Sequence, residues 1–198
     1  MKKFVIGAVA LLLSLNYAFA QDSNKFTFKG IPIEGSPTAF VQKLVAQGYK
    51  TESLPSGIQP NIYKTALNGL FFNNEAAIVL TTSNNEVTSV LVGFFHNKSY
   101  VSDDDRITLY NNIRSGLEAK YNNDDWIIDD SLDYDEDASL LDVKYEMSVH
   151  GKSYYYRVFD KESGNAYIVL YITKDTCSIV YMNPNKLEDI KSSLTSDL

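Results

Sequence analysis

The chain has 198 residues, 44% of them hydrophobic and 22% charged, with one cysteine and a formal net charge of −7. Its length suits one medium domain, by the guide of about 100 to 200 residues per domain. The acidic balance argues against nucleic acid and anionic membrane surfaces as partners, and a lone cysteine excludes an intramolecular disulfide.

Residues 1–20 read as a secretory signal peptide. Lys2 and Lys3 form a basic n-region, Phe4 to Leu15 an apolar h-region, and Ala18-Phe19-Ala20 the small-x-small cleavage signature. The apolar run is shorter than the roughly 18 to 20 residues that span a bilayer. Cleavage after Ala20 would leave residues 21–198 as a single α+β domain, periplasmic or secreted, with no integral membrane segment. It would also remove two bases and no acid, taking the net charge from −7 to −9.

Ser36-Pro37 predicts an N-cap and first helical position, followed by Phe40, Val41, Leu44 and Val45 at helical spacing until Gly48. From Ile62 to Phe95 a meander of three strands is expected, with turns at Asn73-Asn74 and Asn84-Asn85, because asparagine tolerates positive φ. Ser102 is placed to cap a second helix, with Asp105 reaching back and Tyr110, Ile113, Leu117 and Tyr121 on its buried face. An acidic stretch, 124–142, follows, with Trp126, Ile127 and Ile128 as a short strand.

Leu141, Val143, Tyr145, Met147 and Val149 alternate with polar residues, which predicts a half-buried strand. Three more strands are expected over Tyr154 to Phe159, Ala166 to Thr173 and Thr176 to Met182, making four in meander order, before a final helix opening at Asn183-Pro184 with Leu187, Ile190 and Leu194 on one side. Ile78-Val79-Leu80 with Thr88-Ser89 echoes Ile168-Val169-Leu170 with Cys177-Ser178. The expected fold is therefore two helix-plus-antiparallel-meander units, a duplication over roughly 26–97 and 102–198, with a C-terminal helix.

Chemistry-bearing candidates are sparse. Asp133-x-Asp135-x-Asp137 half resembles an EF-hand loop, but Ala138 and Lys144 stand where glycine and a bidentate glutamate are needed. A solvated acidic loop and a looser calcium site both remain open readings. Asp103-Asp104-Asp105 is explained by the dipole of the second helix. His96 and His150 have no partner at ligand spacing, and Cys177 sits in a strand-like run as a small buried hydrophobe. No nucleophile elbow, Walker loop or zinc motif occurs, so no residue is assigned as catalytic, cofactor-binding or metal-binding.

Fourteen tyrosines are the other feature, among them Tyr154-Tyr155-Tyr156 with Tyr167, Tyr171 and Tyr181 on neighbouring strands. Alternation sends Tyr155 to the face opposite Tyr154 and Tyr156, where an exposed row would suit a sugar ring or a protein interface.

Phe26 to Ser36, with Gly30, Pro32 and Gly35 for turns, and Leu67-Asn68-Gly69-Leu70-Phe71 opening the meander resemble a group of small exported proteins of gut Bacteroidetes. The resemblance covers the first half of the chain after Ala20, implies no activity, and reads the first apolar residues as a strand entering the sheet; the acidic second half departs from it. The helix-plus-meander duplication also looks like the β-lactamase-inhibitor-protein architecture, which implies fold alone. Three functions are thus expected in order: a non-enzymatic exported module binding a protein or glycan over one sheet face, a carboxylate-dependent hydrolase of polysaccharide or peptidoglycan, and a calcium-stabilised structural module.

Overall fold

The computed structural model describes residues 26–52, 63–94, 102–131 and 140–186. Helix α1 (Pro37–Ala46) begins where Ser36 and Pro37 predict it and buries Phe40 and Leu44. After β3 (Lys50–Glu52) come the three long meander strands β4 (Tyr63–Phe71), β5 (Asn74–Ser83) and β6 (Glu86–Gly93). Phe71 pairs with Asn74 and Ser83 with Glu86, so the two-residue turns are Phe72-Asn73 and Asn84-Asn85, all four at positive φ. The first turn therefore lies one residue earlier than expected: Asn74 is the first paired residue of β5, and a phenylalanine takes the left-handed position.

Helix α2 (Asp103–Tyr121) is capped as predicted, the Ser102 hydroxyl accepting the Asp105 amide at 3.2 Å and donating to the Asp105 carboxylate at 2.7 Å. Strand β7 (Trp126–Asp130) follows, then helix α3 (Leu140–His150), β8 (Tyr154–Asp160), β9 (Ala166–Ile172) and β10 (Cys177–Met182).

The strand expected over Leu141 to Val149 is thus helix α3. Its alternation conceals Val143 and Met147, four residues apart and therefore on one helical face; these two are buried, while Tyr145 and Val149 lie exposed. The place on the sheet is already taken, because β7 pairs along β8 from Trp126↔Asp160 to Asp130↔Tyr156. Gly151, at φ 65, ends the helix in the left-handed conformation. Of the final helix, the described part is a 3₁₀ turn at Pro184–Lys186; Leu187, Ile190 and Leu194 lie outside the described residues.

Eight strands form one antiparallel sheet in the order β3-β4-β5-β6-β10-β9-β8-β7. A separate hairpin of β1 (Thr27–Phe28) and β2 (Ile31–Pro32) packs on it rather than joining it, correcting the expectation that these residues enter the sheet. The Tyr167 hydroxyl ties it down by accepting the Thr27 amide at 3.0 Å, and Asn183 Nδ2 donates to the Ile33 carbonyl at 2.9 Å.

One core cluster unites the hairpin, all three helices and alternate strand residues, among them Leu67, Ile78, Val92, Leu170 and Ile179. Those five pair in register across β4, β5, β6, β9 and β10, so they share a face. Tyr49, following α1, lies over Gly69 on this face: a Cβ there would stand 2.2 Å from the ring. The helices therefore cover one side of the sheet, and no described helix covers the other. No described helix is long and apolar enough to cross a membrane.

Candidate functional site

Strand register defines the face that no described helix covers. Asp129 pairs with Arg157, Arg157 with Val169, Val169 with Val180, Val180 with Leu91, and Leu91 with Val79, one row running across the sheet. In the adjacent row Tyr155 stands opposite Tyr171. Val79, Ala66 and Ser178 on this face are buried outside the core cluster, while Val169, Val180, Leu91, Tyr155 and Tyr171 are half-buried.

The centre of this surface is built on β8. Successive outward residues of a strand lie about 7 Å apart, so Tyr155, Arg157 and Phe159 form a column. The Arg157 guanidinium carbon lies 4.1 Å from the Tyr155 ring centroid and 5.5 Å from that of Phe159, held between two aromatic faces. Asp129, across the ladder, receives its Nη2 proton. Ser131 sets the strand end, its hydroxyl accepting the Tyr155 amide at 2.7 Å and donating to the Tyr155 carbonyl at 3.1 Å. The arrangement is a half-buried patch of aliphatic and tyrosine side chains with an oriented guanidinium at one side.

The sequence-derived split of the tyrosine triplet holds: Tyr154 and Tyr156 are in the core and Tyr155 is on the other face. Tyr167 joins the core, at the register shift between Val158 and Phe159. Arg157 was not singled out, although the alternation of the strand expected over Tyr154 to Phe159 already puts it between Tyr155 and Phe159 on one face; the stacking of its guanidinium is what the structure adds.

The helix side carries the perturbed groups. Burial pushes the Tyr156 hydroxyl up to about 12, with the Glu118 and Asp130 carboxylates adding to the rise and the Arg114 guanidinium opposing it. Tyr110 is raised further, again by burial first and then by Asp130. Arg114 Nε donates to Asp130 Oδ2 at 2.6 Å beneath α2. Cys177 is buried as expected, and burial pushes its thiol up to about 12 despite the nearby Arg106 guanidinium. It borders a hollow of about 230 Å³ with Asp105, Arg106 and Glu75, but a protonated thiol is a poor nucleophile.

The acids of α2 have structural partners: Asp103 receives Arg106 and the Ser148 hydroxyl, and Asp104 is 3.0 Å from Lys144 Nζ. Asp129 and Asp130 point to opposite faces and do not converge as a hydrolytic pair would. His150 ends α3 against Tyr145. Asp133, Asp135, Asp137 and His96 lie outside the described residues. Among the described residues no group of three or more His, Cys, Asp or Glu side chains is placed to hold a metal.

Comparison with protein-family models, curated proteins and solved structures finds no match, so the surface is read from its own residues.

Proposed function

We propose that the chain is an exported, non-enzymatic binding protein that takes a protein partner on the sheet face that no described helix covers, centred on Tyr155, Arg157, Phe159 and Tyr171. The observation that carries this reading is the guanidinium held between two aromatic rings on a face that no described helix covers. Tyrosine and arginine dominate the energetics of protein interfaces, and an arginine already oriented by stacking loses little freedom on binding. Sugar recognition favours a fully presented ring edged by carboxylates; here the two tyrosines are half-buried and the neighbouring row is aliphatic, which favours a protein. Residues 1–20 supply the export signal in this reading, with Gln21 as the first residue of the released chain.

The strand order supports the finer proposal of two related units. The last strand of each half, β6 and β10, meets at the middle of the sheet, and a helix precedes each half. A twofold relation between halves explains why their edges, β3 and β7, fall at opposite ends.

The test is photo-crosslinking in cell envelopes with a crosslinking amino acid at Tyr171, and in parallel at Tyr145 on the helix side. A protein adduct from position 171 alone, lost with Tyr155→Ala and Arg157→Ala, is expected. Equal adducts from both positions would sink the reading. Binding on a glycan array that depends on the same two side chains would replace the protein partner with a sugar.

A further inference from the structure

A second site lies on the helix side, away from the partner surface. The tips of two hairpins, β1–β2 and β4–β5, meet over the C-terminal half of α2 and border an open hollow of about 200 Å³. Its walls are Phe28, Phe71, Tyr181 and Leu117. Phe28 and Phe71 are stacked with centroids 5.5 Å apart, and Tyr181 meets both rings edge-on. Two exposed lysines, Lys29 and Lys120, stand at its mouth, and no acid is among the lining residues, on a chain in which acids outnumber bases. Lys29 Nζ lies 4.9 Å above the Phe71 ring.

Two features show that this mouth is built at a conformational cost. Lys29, at φ 53, and Phe72, at φ 49, both occupy the left-handed region, which bulky side chains seldom adopt. Each is in a turn where asparagine or glycine would be relaxed, and both side chains border the same hollow. Gly116 on α2 makes room: a Cβ there would lie 2.8 Å from the Phe72 ring. The Gln47 side-chain amide donates to the Lys29 carbonyl at 3.1 Å and steadies the first turn.

We propose that this hollow binds a small arylalkyl carboxylate, its ring laid against the exposed Phe72 side chain over the buried floor of Phe28 and Phe71 and its carboxylate between the Lys29 and Lys120 ammonium groups. The hollow is open to solvent on one side, so a phenyl ring with a short chain lies along it with one face covered. Aromatic walls favour a ring offset or edge-on to them, and two ammonium groups without a competing acid favour a single anionic head.

The experiment is calorimetric titration of the purified protein with 3-phenylpropionate, 3-phenylpropanamide and hexanoate, with amide chemical shifts followed by NMR. The expected result is saturable binding of 3-phenylpropionate, at least about tenfold weaker for the neutral amide and for the Lys29→Gln/Lys120→Gln double variant, and weaker for hexanoate. Shifts should fall at Gly30, Gly116 and Leu117 and not at Tyr155 or Tyr171. Gly116→Ala, which displaces the Phe72 ring, should weaken binding, and Arg157→Ala should leave it unchanged, so this site and the partner surface fail independently. Acid and amide binding alike, shifts confined to the face of Tyr155 and Tyr171, or no saturable binding by a folded protein would each overturn the proposal.

Discussion

Leu170 and Val169 are neighbours on β9, and Asp130 and Asp129 on β7, yet in each pair one side chain lies under the helices and the other on the face that no described helix covers. Under the helices, Leu170 is fully buried and Asp130 holds Arg114 in a pair that is roughly four-fifths shielded. On the other face, Val169 is half-buried, and Asp129 holds Arg157 in a pair more than a third exposed. The same two kinds of contact are therefore shielded on one side and partly solvated on the other. Solvent decides the difference: burial makes an apolar contact worth more and a lost ionic partner cost more.

Three measurements would break or sharpen this contrast. The largest effect should come from alkaline pH. Tyr49, Tyr110, Tyr121, Tyr156, Tyr167, Tyr181 and Cys177 are all raised above their ordinary values, chiefly by burial, and all belong to the core cluster. In the unfolded chain the thiol loses its proton near 9.0 and each hydroxyl near 10.0, whereas Cys177 and Tyr156 in the fold keep theirs to about 12. The unfolded state thus binds fewer protons across that window. Stability is fully present below pH 9 and falls as pH rises toward 12, by about 1.4 kcal/mol per pH unit for each group in its window. Urea midpoints by circular dichroism should drop steeply there; a flat profile to pH 12 would contradict the packing described.

Next in size is the β9 pair. Leu170→Ala should cost about 2 to 5 kcal/mol by cavity formation, and Val169→Ala about 1 kcal/mol or less. Equal losses in denaturant titrations would mean that both faces are core. Smallest is the β7 pair, where Asp130→Ala strands Arg114 beneath α2 and should cost about 1 to 3 kcal/mol, while Asp129→Ala releases Arg157 to water for at most about 1 kcal/mol. A larger cost at Asp129 would place the guanidinium stack in the folding core instead of at a binding surface.

The difference between α3 and β8 shows where local pattern stops being decisive. Both segments alternate polar and apolar residues, and β8 follows that alternation, burying Tyr154, Tyr156 and Val158. In α3 the same alternation coexists with Val143 and Met147 at helical spacing, and Lys144 and Ser148 reach carboxylates on α2. Occupation of the β8 edge by β7 excludes a strand there, and that is a tertiary fact. Phe72 is a parallel case: the hairpin was legible from its asparagines, but the ladder register moved the turn by one residue and gave a phenylalanine the left-handed position.

From the sequence by itself come the α+β class, the start of α1 at Ser36-Pro37, the cap of α2, the three-strand meander, the faces of Tyr154 to Tyr156 and the burial of Cys177, because each follows from local periodicity, capping or turn chemistry. The tertiary structure alone decided that β6 and β10 join the halves into one sheet, that every described helix lies on one side of it, and that Lys29, Phe72 and Gly116 meet around one hollow. These are pairings between residues up to about ninety positions apart, and such contacts are set by register and by competition for a common core, which no local window of sequence contains.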